Sequence, residues 1–116
     1  MSEPMIIDEK KLLFALGLCA RAGKLTAGVP MVCEALRERG LKKPRAVFMA
    51  SDVSENTRKK LSDKCGFYGV RLVRLGCGAF ELSRAVGKSS DVAAVAVADK
   101  QLYSLTEKYF RSDDSV

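Results

Sequence analysis

Val92-Ala-Ala-Val-Ala-Val-Ala98 is a run of small and β-branched apolar residues with no polar residue alternating through it. A strand with one face in water carries a polar residue at every second position, so this segment is read as a strand covered on both faces. Covering two faces takes helices above and below, and the rest of the chain supplies them in alternation with further strands. Asp8 is placed to cap a helix in which Leu12, Leu13, Leu16, Cys19 and Ala20 recur at helical spacing until Gly23. An extended piece from Lys24 to Ala27 leads through Gly28 to a second helix. Pro30 sits in its first turn, Val32, Ala35 and Leu36 form its inner stripe, and Gly40 is its expected stop.

Beyond Pro44, Ala46 to Ala50 reads as a buried strand. Ser54 then caps a third helix with Leu61, Cys65 and Tyr68 facing inward and Arg58, Lys59, Lys60 and Lys64 outward. Val70 to Leu75 is a further strand and Ala79 to Val86 a short helix stopped by Gly87. Asp99 caps a last helix carrying Leu102, Leu105 and Tyr109, and Ser112 to Val116 is expected to fray. The order predicts one α/β domain over residues 1–116, a three-layer α/β/α sandwich with its core within about residues 9–110 and both acidic ends expected to fray.

Hydrophobic residues make up 47% of the chain, enough for a core at 116 residues without a disulfide or metal staple. Cys19, Cys33, Cys65 and Cys77 are irregularly spaced, with no Cys-x-x-Cys pair and no histidine, so neither a metal site nor a disulfide is expected. Gly76 and Gly78 flank Cys77 and suggest an exposed loop in which that thiol would be the first to react. The apolar stretches are too short to span a bilayer, and the amino terminus begins acidic rather than with a basic segment and an apolar run. A cytoplasmic chain with no membrane partner is expected.

Enzyme readings find little support. The absence of histidine removes the usual general base near neutrality. Gly23-Lys24 is followed by Leu25, where a phosphate loop needs Ser or Thr for magnesium, and Gly76-Cys-Gly78 has no third glycine at dinucleotide-binding spacing. No cofactor is implied. Charge is more informative: 17 of the 20 Lys and Arg, but only six of the 14 Asp and Glu, lie between residues 10 and 88. The cations are densest from Arg37 to Arg45 and at Arg58-Lys-Lys60, which points to a polyanionic partner.

Read together, Leu16-Gly-Leu-Cys-Ala-Arg-Ala-Gly-Lys-Leu-Thr-Ala-Gly28, Ala50-Ser-Asp-Val-Ser-Glu-Asn-Thr-Arg-Lys-Lys60, Glu81-Leu-Ser-Arg-Ala-Val-Gly-Lys88 and the strand running into Asp99 resemble a known family. The chain is similar to the small bacterial, ribosome-associated branch of the kink-turn-binding ribosomal proteins, relatives of an archaeal large-subunit protein. The resemblance implies an α/β/α sandwich around a four-stranded mixed sheet and a non-enzymatic protein that binds structured RNA, ribosomal RNA or the ribosome included. It places RNA contact at the start of the second helix, Gly28 to Arg37, and in the loop Gly87 to Asp91.

At those positions the chain departs from the family pattern. Kink-turn binders carry Gly-x-Asn-Glu followed by a Lys, whereas this chain has Gly28, Val29, Pro30 and Met31, with Glu34 at the Lys position. Pro30 and Met31 have no groups with which to read base edges, Glu34 places an anion where a phosphate-facing cation belongs, and Asp91 stands where relatives often have a basic residue. Lys24, Arg37, Lys88, Ser89 and Ser90 remain as backbone contacts. The expectation is RNA binding with altered or weakened kink-turn recognition. The alternative is a protein-interaction module on the same fold, using the apolar Val29-Pro30-Met31 surface. Ser51, Asp52 and Ser54 are read as capping and turn residues rather than RNA ligands.

Overall fold

The computed structural model describes residues 4–111. In chain order its elements are β1 (Met5–Ile6), α1 (Glu9–Arg21), β2 (Leu25–Ala27), α2 (Val29–Ala35), a 3-10 turn (Gly40–Lys42), β3 (Ala46–Met49), α3 (Glu55–Tyr68), β4 (Arg71–Arg74), α4 (Ala79–Ala85), β5 (Ala94–Val97), α5 (Lys100–Glu107) and β6 (Phe110–Arg111). The main sheet has the order β2-β5-β3-β4. β3 and β4 run parallel, with Ala46 opposite Arg71, while β5 is antiparallel to both β2 and β3. This is the expected four-stranded mixed sheet.

Every residue of β3 and of β5 is buried, as the unbroken apolar run requires. The two faces separate by alternation. Ala46, Phe48, Val95 and Val97 pack with Leu12, Leu16, Cys19 and Leu82 on the side of α1 and α4, where Leu102 and Tyr103 of α5 also pack. Val47, Met49, Ala94 and Ala96 pack with Val32, Leu36, Leu61 and Cys65 of α2 and α3. Burying each of the larger aliphatic side chains contributes about 1.5 to 3 kcal/mol. Three caps are where the sequence places them: Asp8, Ser54 and Asp99 each accept a backbone N–H from the first turn of α1, α3 and α5.

Three features differ most from the sequence expectation, besides Tyr109, which lies past the end of α5 at Glu107 rather than on it. The second helix ends at Ala35 rather than running to Gly40. Arg37 and Glu38 donate to the carbonyls of Glu34 and Ala35, tightening the last turn, and Gly40 at φ 67° opens the 3-10 turn instead of closing a helix. Past Leu36 the charged Arg37-Glu38-Arg39 offers no apolar residue to hold a further turn on the sheet.

The amino-terminal end is the second difference. Met5 and Ile6 pair antiparallel with Arg111 and Phe110, and Ile7 donates to the Tyr109 carbonyl at 2.8 Å, so the described ends form a ribbon. Phe110 anchors it, 3% exposed and edge-on to Phe48 at 5.8 Å between ring centroids. Ser112 to Val116, expected to fray, lies outside the described residues.

Cys77 is the third. It is buried at 6% exposure, because Ser51 donates to its carbonyl and Gly76 donates to the Glu9 carboxylate, pinning the segment between β3 and α1. Burial, followed by the charges of Glu9, Glu81 and Asp52, pushes its thiol up to about 11. It is not the exposed thiol that its flanking glycines suggested. Cys33, half-buried, is the most accessible of the four free cysteines.

Candidate nucleic-acid interface

β2 is parallel to β3 and antiparallel to β5, so the end of β2, the end of β3 and the start of β5 meet at one end of the sheet. There the Gly28 N–H donates to the Ala94 carbonyl at 2.8 Å, and the Ala50 N–H donates to the Ala93 carbonyl at the same distance. The first of these bonds joins the start of α2 directly to the segment entering β5. Gly28 holds φ 98°, a left-handed value that turns the chain from strand into helix with no side chain to strain it. Pro30 fits the first turn, where a missing N–H costs nothing.

Val32 and Leu36 anchor α2 in the core, which leaves Pro30, Met31 and Glu34 on its outer side. Met31 is 58% exposed. Gly87 to Asp91 are all exposed. The loop they form is held at both ends by Ser83: its carbonyl accepts the Lys88 N–H at 2.9 Å, and its hydroxyl accepts the Val92 N–H at 2.6 Å while donating to Ala79. Ser83 is 3% exposed, and its hydroxyl sets how the loop enters β5.

The loop borders an open cleft of about 480 Å³ between α1 and α4. Gly17, Ala20, Arg21 and Leu25 form one wall, and Arg84, Ala85, Val86, Gly87 and Lys88 the other. Gly17 is what lets the helices approach, since a Cβ there would lie 2.7 Å from the Ala85 carbonyl oxygen. Arg21 and Arg84 lie over the rings of Phe14 and Phe80, at 5.8 and 5.7 Å to the centroids, which restrains both guanidiniums. Three cations thus line one cleft contiguous with the loop, a setting that attracts phosphate.

The structure distributes the sequence-identified residues unevenly. Gly28, Val29, Pro30 and Met31 share one end with the segment entering β5. Gly87 and Lys88 line the cleft, and Ser89, Ser90 and Asp91 continue the exposed loop away from it. Lys24 precedes Leu25 of the cleft wall, at the far end of β2 from Gly28. Arg37 follows α2, about 10 Å along the helix from its start. Neither sits beside Met31. Arg21 and Arg84 were not identified from the sequence, although the spacing of Arg84 and Lys88 around a short helix's end was a signal for them.

The acidic side of this end has structural duties. Asp52 accepts the Ala79 N–H at 3.0 Å, capping α4 in place of Gly78, and Ser54 caps α3. Among the described residues no group of three or more Cys, Asp or Glu is placed to hold a metal ion, and no helix is long and apolar enough to cross a membrane.

A sequence profile of the ribosomal protein L7Ae/L30e/S12e/Gadd45 family matches residues 10–105. The RNA-binding protein YlxQ of Enterococcus faecium is 35% identical over 88 residues, covering 76% of this chain and 82% of its own length. The RNA-binding protein YlxQ of Bacillus subtilis (strain 168) is 36% identical over 85 residues, 73% of this chain and 80% of its own. Among solved structures, a protein of unknown function from Bacillus halodurans C has a TM-score of 0.70 at 34% identity, over 84% of this chain and 97% of that one. The Giardia lamblia 15.5kD RNA binding protein superposes with a TM-score of 0.70 at 18% identity, over 85% and 81% of the two chains, a likeness of fold.

Proposed function

Because this chain belongs to the ribosomal protein L7Ae/L30e/S12e/Gadd45 family, we propose that it is a non-enzymatic, cytoplasmic single-domain protein that binds structured RNA and associates with the ribosome. The observation that carries the reading is the Gly28 to Ala94 hydrogen bond. It joins two segments far apart in the chain into one rim, and the loop continuing from that rim leads to a cleft lined by Arg21, Arg84 and Lys88. Phosphates meet cations in the cleft, while bases meet the start of α2. The bacterial relatives are named as RNA-binding proteins, and the reading carries that property to this chain.

Kink-turn recognition is altered in this reading. Pro30 and Met31 bring no amide or carboxylate to base edges, and Glu34 repels the backbone. Affinity then rests on cations and on backbone N–H groups rather than on base-reading side chains.

The test is co-sedimentation with ribosomal subunits at rising salt. Binding through the cleft gives release with a log–log slope of about 0.7 to 0.9 per phosphate neutralised. Replacing Arg21, Arg84 and Lys88 by Gln should lower both affinity and slope. A salt-independent association that survives these changes would refute the reading and favour a protein partner on the surface of Pro30 and Met31 beside half-buried Val29, where the 58% exposure of Met31 is the supporting observation.

A further inference from the structure

The densest run of positive charge in the chain, Arg37 to Arg45, contributes almost nothing to the rim at Gly28. It lies at the other end of the sheet. β3 and β4 are parallel with Ala46 opposite Arg71, so Arg45 and Arg71 sit side by side where both strands begin, and the rim lies where β2 and β3 end. A second cleft opens there, about 350 Å³, lined by Gly40, Lys43, Pro44, Arg45, Gly69, Arg71 and Tyr103.

The backbone carrying its cations is fixed, and the Arg71 side chain is held by contacts that leave its charge unpaired. The Arg45 N–H donates to the Val97 carbonyl at 2.8 Å and the Lys43 N–H to the Gly40 carbonyl at 3.2 Å, fixing the backbone that carries both side chains. Arg71 donates through Nη1 to the Tyr103 hydroxyl at 3.3 Å and lies 5.8 Å from the Phe110 ring centroid. Burial raises the Tyr103 pKa, so the partner of this guanidinium is a neutral hydroxyl. The one carboxylate acting on Tyr103 is Glu107 of α5. Among the described residues no carboxylate lies within ion-pair distance of Lys43, Arg45 or Arg71. Arg58, by contrast, forks onto Glu55 of its own helix through two hydrogen bonds.

Three cations from two separate segments converge here with no ion pair among the described residues, Glu107 reaching only the Tyr103 hydroxyl, and such an arrangement suits phosphate. Arg39 and Lys42 continue the charge along the 3-10 turn, outside the cleft, which suits a polymer of phosphates better than a single small anion. We propose that this cleft is a second RNA-backbone site, engaging a different segment of RNA from the rim at Gly28, so that the protein bridges two RNA segments across a body 31 × 29 × 27 Å. The inference rests on the RNA-binding reading above and adds to it a site and an architectural role.

The experiment is a bridging capture at low ionic strength. A biotinylated 20-base-pair RNA duplex is fixed on beads, protein is added, and recruitment of a second, fluorescent duplex is measured. The wild-type chain should recruit it. Lys43→Gln with Arg45→Gln, both at solvent-accessible positions, should still bind the bead duplex but recruit about three- to tenfold less of the second. The salt slope of total binding should fall by about 1.4 to 1.8. Thermal melting of this variant within a few degrees of wild type confirms that the fold is intact. Recruitment by the variant at the wild-type level overturns the second site while leaving RNA binding standing. Retention of the wild type on the beads without recruitment does the same. Wild-type protein that binds neither this duplex nor a kink-turn stem-loop overturns the RNA reading itself. Capture of poly-glutamate in place of RNA, lost in the variant, would assign the cleft to an acidic protein and also overturn the proposal.

Discussion

The start of α2 offers the sharpest perturbation: Pro30→Asn, Met31→Glu and Glu34→Lys combined. Val32 and Leu36 carry the packing of α2, with no exposure, whereas the three substituted side chains project outward, so the change rewrites the surface and spares the core. Replacing Pro30 loosens the unfolded chain and costs about 0.4 to 1 kcal/mol of stability, which a melting curve would register as a small shift. For binding, each restored base-reading contact contributes about 1 kcal/mol. Glu34 is exposed, so the water-like limit governs its charge. At ~6 Å a unit charge and a phosphate interact by about 0.7 kcal/mol, and reversing the sign changes binding by about 1.4 kcal/mol before salt screening. Together these exceed the 1.4 kcal/mol that corresponds to tenfold. The triple variant should therefore bind a kink-turn stem-loop at least tenfold tighter than wild type in a filter-binding or anisotropy titration at fixed salt. Wild type should bind that RNA little better than a straight duplex of equal length. Tight, selective binding by the unmodified chain would refute the reasoning, because recognition would then reside in backbone N–H groups and the Gly87–Asp91 loop alone.

Gly17→Ala places a Cβ 2.7 Å from the Ala85 carbonyl oxygen, a contact with backbone that cannot swing aside. It should destabilise the protein by about 1 to 3 kcal/mol despite alanine's better helix propensity, read from urea denaturation. Phe110→Ala removes a side chain buried against Phe48 and should cost about 3 to 5 kcal/mol, detectable as a lowered melting temperature. Under native conditions a thiol reagent should modify Cys33 first and Cys77 slowly, the reverse of what the flanking glycines suggest; a fast Cys77 would contradict its burial. Burial, the largest cause, pushes the Cys65 and Cys77 thiols up from an ordinary value of 9.0 to about 11 in the folded state. In the pH window from about 9 to 11 the unfolded chain binds fewer protons, so stability should fall as pH rises through it, followed by melting temperature.

The local chemistry of this chain was legible without coordinates. The Val92–Ala98 run demanded burial on both faces, and β5 is buried at every residue; Asp8, Ser54 and Asp99 cap the helices they precede. These are properties of a few neighbouring residues, set by the two- and 3.6-residue periodicities and by the backbone donors at a helix start. The order of alternating elements was enough to imply three layers. The position of Gly28 at a turn into a helix was also visible, because its function depends on one backbone angle.

Only the tertiary structure decided which distant segments meet. Cys77 has two glycine neighbours, but its burial comes from Glu9 and Ser51, which approach from elsewhere in the chain. Met5 and Ile6 carry no strand signature of their own and are ordered by pairing with Arg111 and Phe110. Arg84 and Lys88 share a cleft with Arg21 because Gly17 allows α1 and α4 to touch. Lys24 and Gly28 are four residues apart in sequence yet stand at opposite ends of a strand, and Arg45 joins Arg71 through the parallel register of β3 and β4. Charge density along a sequence has one dimension; the field that meets a polyanion depends on how strands and helices fold that density onto two ends of a sheet.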